Sequence, residues 1–181
     1  PEWLTRIGEE LDAKLGDAPP TYETVAQLDT LRMCFSEALR LYPPVWLYSR
    51  RAVADDVIGG YAVPKGSIVL ACPYTLHRNP ALWSDPERFD PTRFAKGQTR
   101  HKFAYLPFGG GPRTCMGSHF AIIEAMVILA VLLRKFTPVL VDGADRTFVP
   151  ALTLRHRTGL RMTFLTRGMR GACSPLPSPH S

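Results

Sequence analysis

The stretch Phe108-Gly-Gly-Gly-Pro-Arg-Thr-Cys-Met-Gly117 stands immediately before a long apolar segment that is typical of a buried helix. Cys115 would then lie where unpaired backbone N–H groups and the positive end of the helix dipole favour a thiolate, and Arg113 adds positive charge two residues away. The glycines remove side chains from the surrounding backbone, as is needed where a bulky group approaches the main chain. The stretch therefore predicts a loop that presents a cysteine to a large ligand.

Four interpretations of this loop compete. A phosphate-binding loop would end in Gly-Lys-Ser or Gly-Lys-Thr, whereas this one ends in Arg-Thr-Cys. A nucleophilic cysteine needs a positioned base, and the spacing does not select among His77, His101 and His119. A structural cysteine in a glycine turn gives no reason for the adjacent arginine. The fourth interpretation is a thiolate ligand of haem iron.

Helices are predicted on both sides of the loop. Apolar residues recur every four positions from Trp3 to Leu15, which indicates an amphipathic helix that ends at Gly16. Thr24-Val-Ala-Gln27 fits a capping box for a short second helix, and Asp29-Thr30 can cap a third that ends at Pro43-Pro44. A long apolar helix is predicted from Met116 to Phe136.

Turns and short strands are predicted between and after these helices. Ile58-Gly-Gly-Tyr61 indicates a hairpin, Pro64-Lys-Gly66 a second turn and Ser67–Ala71 a strand. Nine of the 17 prolines lie between residues 43 and 112, so residues 73–112 are expected to form coil, with further short strands around residues 150–165. The predicted fold class is mainly α with small β-sheets (α+β), and residues 168–181 are expected to be a disordered tail.

Charge is distributed unevenly along the chain. Residues 1–92 hold 9 Lys or Arg against 13 Asp or Glu, a net charge of −4, whereas residues 93–181 hold 13 against 3, a net charge of +10. A basic face attracts acidic partners at a rate that salt lowers. Nucleic acid is not an expected partner, because no run of five like charges occurs and aromatic residues do not interleave with the basic ones.

The cysteines and the apolar runs bear on location. Four cysteines without a CxxC pair predict neither a zinc site nor a disulfide framework, which favours a reducing compartment. The longest apolar run is nine residues, whereas a membrane-spanning helix needs about 20. We therefore expect no membrane segment in this chain and a cytoplasmic location, or membrane association if an amino-terminal anchor is missing.

The cysteine loop resembles the signature of the cytochrome P450 superfamily. That signature fixes five positions, all matched here, at Phe108, Gly111, Arg113, Cys115 and Gly117. Five fixed positions at fixed spacing are a specific signal, and the resemblance extends over residues 1–166. It implies the carboxyl-terminal part of the P450 fold, with residues 1–167 as its haem-binding portion.

Two further motifs lie in the family's order. Glu37-Ala-Leu-Arg40 resembles the family's Glu-x-x-Arg, in which both side chains share one face of a helix. Residues 85–94 contain two Pro-x-Arg-Phe units, one after the other, and resemble the segment whose arginine completes a buried Glu-Arg-Arg network. We assign Arg93 to that position, with Arg88 as the alternative. The network would be structural, since it fixes the coil that leads to the cysteine loop.

The resemblance implies roles for the loop residues. Cys115 would be the proximal ligand of the iron of haem b (iron protoporphyrin IX), and this family is itself the known example of such thiolate ligation. Phe108 would pack beside the sulfur, and Gly111 and Gly117 would give the backbone room, with amide groups tuning the thiolate.

Positively charged and apolar residues elsewhere complete the implied site. Arg113 would pair with one haem propionate and Arg50 with the other, with Arg51 as the competing choice, because the arginine fork binds carboxylates bidentately. Part of the substrate pocket would be lined by Val45, Trp46 and Leu47, although ordinary packing explains these three residues almost as well.

By this resemblance the complete protein is a haem-thiolate monooxygenase that inserts one atom of O₂ into a small organic substrate. No Ala/Gly-Gly-x-x-Thr pattern of the distal oxygen-activating helix occurs in the sequence. The chain alone is therefore expected to bind haem poorly and to hydroxylate nothing; the alternative is a non-catalytic haem-binding remnant. Electrons would come from an acidic ferredoxin or flavodoxin-like reductase, docked on a basic face that includes Lys102, Arg134 and Lys135.

Overall fold

The computed structural model describes residues 1–167. Helices and small two-stranded sheets alternate along this part of the chain, which confirms the predicted mixture of helix and short strand. The expected disordered tail, residues 168–181, lies outside the described residues.

Four helices lie in the amino-terminal half of the described residues. Helix α1 spans Glu2–Leu15, α2 spans Tyr22–Val25 and α3 spans Asp29–Leu41, and the short α4 follows at Pro73–Leu76. The fifth helix, α5, spans Ser118–Lys135. Apolar faces of α1, α2, α3 and α5 meet in one buried cluster, whose members are Ile7, Leu11, Leu15, Val25, Leu28, Leu31, Cys34, Met126 and Ala130.

Among residues 1–167, eight short strands pair into four separate antiparallel sheets. Strand β1 (Tyr48–Arg51) pairs with β4 (Ile68–Ala71), and β2 (Asp56–Ile58) pairs with β3 (Tyr61–Val63). Strand β5 (Phe136–Leu140) pairs with β8 (Met162–Thr166), and β6 (Phe148–Pro150) pairs with β7 (Leu154–His156). The predicted Gly59-Gly60 hairpin is confirmed, because both glycines adopt positive φ between β2 and β3.

Helix boundaries differ from the expectation at three places. The capping box of α2 is formed by Thr21 and Thr24, so Thr24 lies inside the helix instead of preceding it. The N-cap residue of α3 makes no side-chain capping hydrogen bond. Instead, the Glu10 carboxylate of α1 accepts the backbone N–H groups of Thr30 and Leu31 at 2.7 and 3.0 Å. Helix α5 begins at Ser118, two residues later than predicted.

Residues 73–112 are mostly the expected coil, but α4 occupies their first four positions and short 3₁₀ turns interrupt the coil at Pro91–Phe94 and Gly111–Arg113. An aromatic cluster packs this coil against α3: the Tyr105 ring lies 4.8 Å from that of Phe94 and 6.4 Å from that of the buried Trp83. The coil thereby follows a fixed path from α4 to the cysteine loop. Among residues 1–167, no helix is long and apolar enough to cross a membrane.

Candidate functional site

Backbone hydrogen bonds close the loop that carries Cys115. The Cys115 N–H donates to the carbonyl of Phe108 at 2.9 Å, which joins the two ends of the loop. Inside it, the Gly111 carbonyl accepts both the N–H and the hydroxyl of Thr114, at 3.1 and 2.8 Å. The cysteine is therefore held by its main chain, three residues before α5 begins.

The side chains of the loop lie open to solvent. Cys115 is exposed, as are Arg113 and Gly117. A Cβ atom at Gly117 would lie 3.9 Å from the Cys115 sulfur, so the glycine leaves the space beside the sulfur clear. Phe108 is half-buried, and its contact with Cys115 in the hydrogen-bond network is through its carbonyl.

Glycine is required at particular points of this loop. Gly109 and Gly111 adopt φ of +77° and +71°, a region that other residues rarely enter. Gly110 has extended backbone, but a Cβ there would lie 3.1 Å from a methyl carbon of Leu106. The loop can thus turn tightly over Leu106 only because these positions lack side chains.

Glu37 and Arg40 form a buried ion pair on α3. Both side chains are fully buried, and the guanidinium donates bidentately to the carboxylate at 2.7 and 2.8 Å. Arg40 also donates to the backbone carbonyls of His77, Pro86 and Arg88 at 2.7, 2.7 and 3.2 Å. One guanidinium thereby fixes three points of the coil against α3.

Arg93, and not the Arg88 side chain, lies beside this pair. Arg93 Nε lies 3.5 Å from Glu37 Oε1, and its Nη2 donates to the Asp85 carbonyl at 2.9 Å. Arg88 is exposed, and what it gives the network is its backbone carbonyl. Glu37 is engaged further by the N–H of Asp90 at 2.8 Å.

His77 is a buried residue of this region that sequence reasoning did not assign. Its Nδ1 lies 3.1 Å from the Arg40 carbonyl, and its Nε2 accepts the Leu106 N–H at 2.8 Å. Burial lowers the pKa of His77 to about 4, and the neighbouring Arg40 and Arg78 charges add to the shift. The only sequence signal was a histidine at the start of the proline-rich coil, and nothing in its spacing names these partners.

Tyr105 anchors the same segment next to His77. Its hydroxyl donates to the Ser36 carbonyl of α3 at 3.0 Å, and its ring lies 5.3 Å from the His77 ring. Burial raises the pKa of Tyr105, so the phenol stays protonated. Two consecutive residues, Tyr105 and Leu106, therefore fasten the start of the cysteine loop.

The candidate second propionate arginines lie on β1. Arg50 pairs with Val69 and Arg51 with Ile68 across the sheet, and both arginine side chains are exposed. Successive residues of a strand point to opposite faces, so the two side chains leave β1 on opposite faces of the sheet. A shallow concave surface of about 400 Å³ is lined by residues that include both arginines, and no residue from 108 to 117 contributes to it.

The candidate substrate-pocket residues precede β1. The Trp46 indole N–H donates to the Ala151 carbonyl at 2.8 Å, and the Leu154 N–H donates to the Pro44 carbonyl at 2.8 Å. Val45 is exposed, whereas Trp46 and Leu47 are half-buried. The polar atom of Trp46 is therefore engaged in packing against the β6–β7 hairpin.

The exposed cysteine loop offers a single protein ligand. Within the described residues, no group of three or more His, Cys, Asp or Glu is placed to hold a metal ion. The donor set of one exposed sulfur, a nearby exposed guanidinium and clear space over glycine fits haem, in which the porphyrin provides the equatorial ligands and the propionates.

Comparison with known proteins places these features in a family. The model of the cytochrome P450 family matches residues 1–161. Cytochrome P450 4c3 of Drosophila melanogaster is 39% identical over 173 residues, and cytochrome P450 4A6 of Oryctolagus cuniculus is 46% identical over 164 residues. The alignments cover 92% and 90% of this chain but 32% of each relative, so the chain spans about a third of the length of these relatives.

A solved structure shows the same fold. The crystal structure of the cytochrome P450DA heme domain is similar with a TM-score of 0.85 and 36% identity, over 98% of this chain and 40% of the other. The helices and two-stranded sheets described above therefore match part of a P450 heme domain. From the family match over residues 1–161, we conclude that the chain belongs to the cytochrome P450 family.

Proposed function

We propose that residues 1–167 form the carboxyl-terminal, haem-binding portion of a haem-thiolate monooxygenase, in which the Cys115 sulfur would be the protein ligand of the haem iron. The observation that carries the proposal is the exposed Cys115 sulfur in a loop closed by its own N–H at 2.9 Å. Family membership supports haem as the group bound. A sulfur held by backbone alone can meet a ligand without rearrangement of the loop.

Loop residues and one strand arginine would hold the porphyrin. Arg113 would pair with one propionate, and either Arg50 or Arg51 with the other, because the guanidinium fork matches a carboxylate. Phe108 would keep water from the sulfur. Gly111 and Gly117 would leave room for close approach, since a residue with a Cβ at Gly117 would face the sulfur at 3.9 Å.

Haem ligated by a thiolate supplies the chemistry that cleaves O₂ and oxidises a C–H bond. The overall reaction consumes one organic substrate, one O₂, two electrons and two protons, and it yields the hydroxylated product and water. The task of this chain would be to position the Cys115 sulfur toward the haem and, with Phe108, to keep water from it. Val45, Trp46 and Leu47 would contribute one side of the substrate pocket.

The distal oxygen-activating helix has no counterpart in the sequence of this chain, and we propose that turnover requires it. The 181-residue chain alone would take up haem weakly and hydroxylate nothing. The test is a chimera in which this chain replaces the matching portion of the cytochrome P450DA heme domain. Its reduced carbon-monoxide difference spectrum and its incorporation of isotope-labelled O₂ into a substrate of the host domain are then measured.

Cysteine variants of the chimera identify the ligand. Cys115→Ser is expected to abolish the thiolate-type Soret band and turnover. Cys72→Ser is the matched control, because Cys72 is half-buried and donates its S–H to the Trp46 carbonyl at 3.3 Å. A thiolate-type band that survives Cys115→Ser would overturn the proposal, and haem uptake without turnover in the unsubstituted chimera would identify a non-catalytic remnant.

The electron donor would be an acidic ferredoxin or flavodoxin-like protein that docks on the basic second half of the chain. Basic residues whose side chains donate hydrogen bonds within the chain are unsuitable for a test of this docking. Arg134 is half-buried and donates to the carbonyls of Gly16 and Ala18, so its reversal would also disturb packing. Lys102→Glu and Lys135→Glu, both at exposed positions, are expected to slow reduction at low salt with an unchanged Soret band, whereas Lys65→Glu serves as the control.

A further inference from the structure

His77 joins two parts of the molecule that both bear on the cysteine loop. It is fully buried directly after α4, and both ring nitrogens are engaged by backbone groups. A carbonyl oxygen only accepts a hydrogen bond and an N–H only donates one. Nδ1 must therefore carry the proton toward the Arg40 carbonyl, and Nε2 must be the bare acceptor for the Leu106 N–H.

His77 and Arg40 are also joined by a second hydrogen bond, in which Arg40 is the donor. The Arg40 guanidinium donates to the His77 carbonyl at 2.7 Å, while the His77 ring donates to the Arg40 carbonyl at 3.1 Å. The imidazole thus has its position fixed by the residue that carries the buried ion pair. Nε2, the other ring nitrogen of His77, accepts the N–H of Leu106.

Leu106 forms the base of the cysteine loop. Its carbonyl accepts the Gly109 N–H at 3.2 Å, and its side chain lies where a Cβ at Gly110 would approach to 3.1 Å. Two residues further on, Phe108 accepts the Cys115 N–H. A continuous path of short contacts therefore runs from the Arg40 carbonyl through the imidazole and Leu106 to the cysteine.

We propose that His77, as the neutral Nδ1–H tautomer, is the positioning residue that fixes the base of the cysteine loop to the buried Glu37–Arg40 pair. The consequence for Cys115 ligation rests on the proposed function; the fastening of Leu106 does not. His77 touches neither Cys115 nor any group that Cys115 would bind, and it acts through Leu106.

Protonation would reverse this contact. A doubly protonated imidazole would direct an N–H at the Leu106 N–H, so a hydrogen bond would become a repulsion. The charged and titratable groups that face His77 are Arg40 on α3, Arg78 next to His77 in sequence, and the Tyr105 phenol in the coil before the cysteine loop. Both arginine charges disfavour a positive charge on His77, and the phenol remains neutral. The hydrogen bond from the Leu106 N–H should therefore hold at neutral pH and break only in acid.

The first test needs no variant and no haem. Nitrogen NMR of the ring of His77 in the full chain should show the Nδ1–H tautomer at neutral pH, and protection of the Leu106 amide from hydrogen exchange should fall with a midpoint near pH 4. An Nε2–H tautomer, or protection of Leu106 that is independent of pH, would overturn the proposal.

Two substitutions separate the two nitrogens. His77→Gln retains an acceptor near the Nε2 position and does not titrate, whereas His77→Asn retains only a donor near Nδ1. Leu106 protection should stay within about twofold in His77→Gln, without the acid midpoint, and fall about fivefold or more in His77→Asn, the expected effect of one lost hydrogen bond. Tyr105→Phe, which removes the neighbouring bond to Ser36, is the matched control and should keep the acid midpoint.

The chimera with the P450DA heme domain then links the fastening to ligation. The thiolate-type Soret band should convert to a non-thiolate form at higher pH in His77→Asn than in His77→Gln. Equal hydrogen-exchange protection of the Leu106 amide in His77→Asn and His77→Gln would contradict the positioning role. If Leu106 responds as expected and the haem spectrum shows no thiolate at any pH, the positioning role stands and the proposed function fails.

Discussion

Arg40 and Arg113 carry the same charge but lie in opposite surroundings. Arg40 is fully buried, is paired with Glu37 at 2.7 Å and donates to three backbone carbonyls. Arg113 is exposed on a 3₁₀ turn of the cysteine loop, two residues before the exposed Cys115. One arginine has all its partners inside the chain, whereas the other presents its donors to the outside.

This difference separates groups that stabilise the fold from groups that we propose bind a ligand. Taking an ion out of water costs several kcal/mol, which only well-placed partners offset, so loss of a partner in the buried pair leaves an uncompensated charge. An exposed arginine or thiol carries no such penalty. Substitutions around Arg40 should therefore change the free energy of unfolding, and substitutions around Cys115 should change ligand binding.

The largest effect is expected from Glu37→Gln. This nearly isosteric change leaves the buried Arg40 charge without its counter-ion and should lower the free energy of unfolding by about 3–5 kcal/mol. Urea denaturation followed by circular dichroism measures the loss. Glu2→Gln is the control, since the exposed Glu2–Arg6 pair should contribute less than about 1 kcal/mol. Equal effects of the two substitutions would contradict the distinction between the regions.

A pH effect of nearly the same size is expected from His77. Its pKa is about 4 in the folded chain and about 6.5 in the unfolded chain, so between these values the unfolded state binds the extra proton. The stabilisation is therefore complete above about pH 6.5 and is lost as the pH falls toward about 4, by on the order of 3 kcal/mol.

Comparison with His77→Gln isolates this contribution. The same carboxylates and other histidines titrate in both proteins, so the wild type should lose about 3 kcal/mol more than the variant between about pH 7 and about pH 4. Parallel pH profiles of the two proteins would show that the buried imidazole is not the group responsible.

A third prediction separates the two candidate arginines of the network. Arg93 is nearly buried beside Glu37, whereas Arg88 is exposed and contributes its carbonyl. Arg93→Ala should lower the free energy of unfolding by about 1–3 kcal/mol, and Arg88→Ala by less than about 0.5 kcal/mol, because alanine keeps the carbonyl. The opposite order in chemical denaturation would return the assignment to Arg88.

Local sequence patterns predicted those features of the fold that depend on residues close together in the chain. The four-residue repeat gave the face of α1, the Gly-Gly pair gave the β2–β3 hairpin, and the Glu37–Arg40 spacing placed both side chains on one helical face. The residues of the cysteine loop indicated Cys115 as a candidate ligand, and the family resemblance then supplied its expected role.

Long-range partners could not be read from such patterns. His77 contacts residues 37 and 29 positions away, and Glu10 caps α3 from 20 positions upstream. The two Pro-x-Arg-Phe units are nearly identical in sequence, and only the path of the coil brings Arg93 to Glu37. The path itself depends on tertiary contacts of Trp83 and Tyr105, which no periodicity encodes.

Gly110→Ala tests the boundary between the two regions. The added Cβ would lie 3.1 Å from a Leu106 methyl carbon, and relief of that contact should cost about 1 kcal/mol, at the lower end of overpacking effects. Gly117→Ala is the partner variant, because its Cβ meets only the Cys115 sulfur at an ordinary 3.9 Å. The midpoint temperature of thermal unfolding should therefore be lowered by Gly110→Ala and unchanged by Gly117→Ala. Haem uptake by the chimera should decrease with both substitutions.

The smallest effect on stability is expected from Cys115→Ser, which has the largest effect on the proposed ligation. The thiol is exposed, so its replacement by a hydroxyl buries no polar group and opens no cavity, and the free energy of unfolding should change by less than about 0.5 kcal/mol. Cys34→Ser provides the contrast, since Cys34 is buried in the apolar cluster of α1, α2, α3 and α5. A hydroxyl placed in these apolar surroundings should cost about 1–3 kcal/mol. Denaturation of the chain together with the carbon-monoxide spectrum of the chimera measures both quantities. A destabilised Cys115→Ser chain would mean that the sulfur already has a structural partner, and the cysteine loop would then belong with Arg40 among the groups that serve the fold.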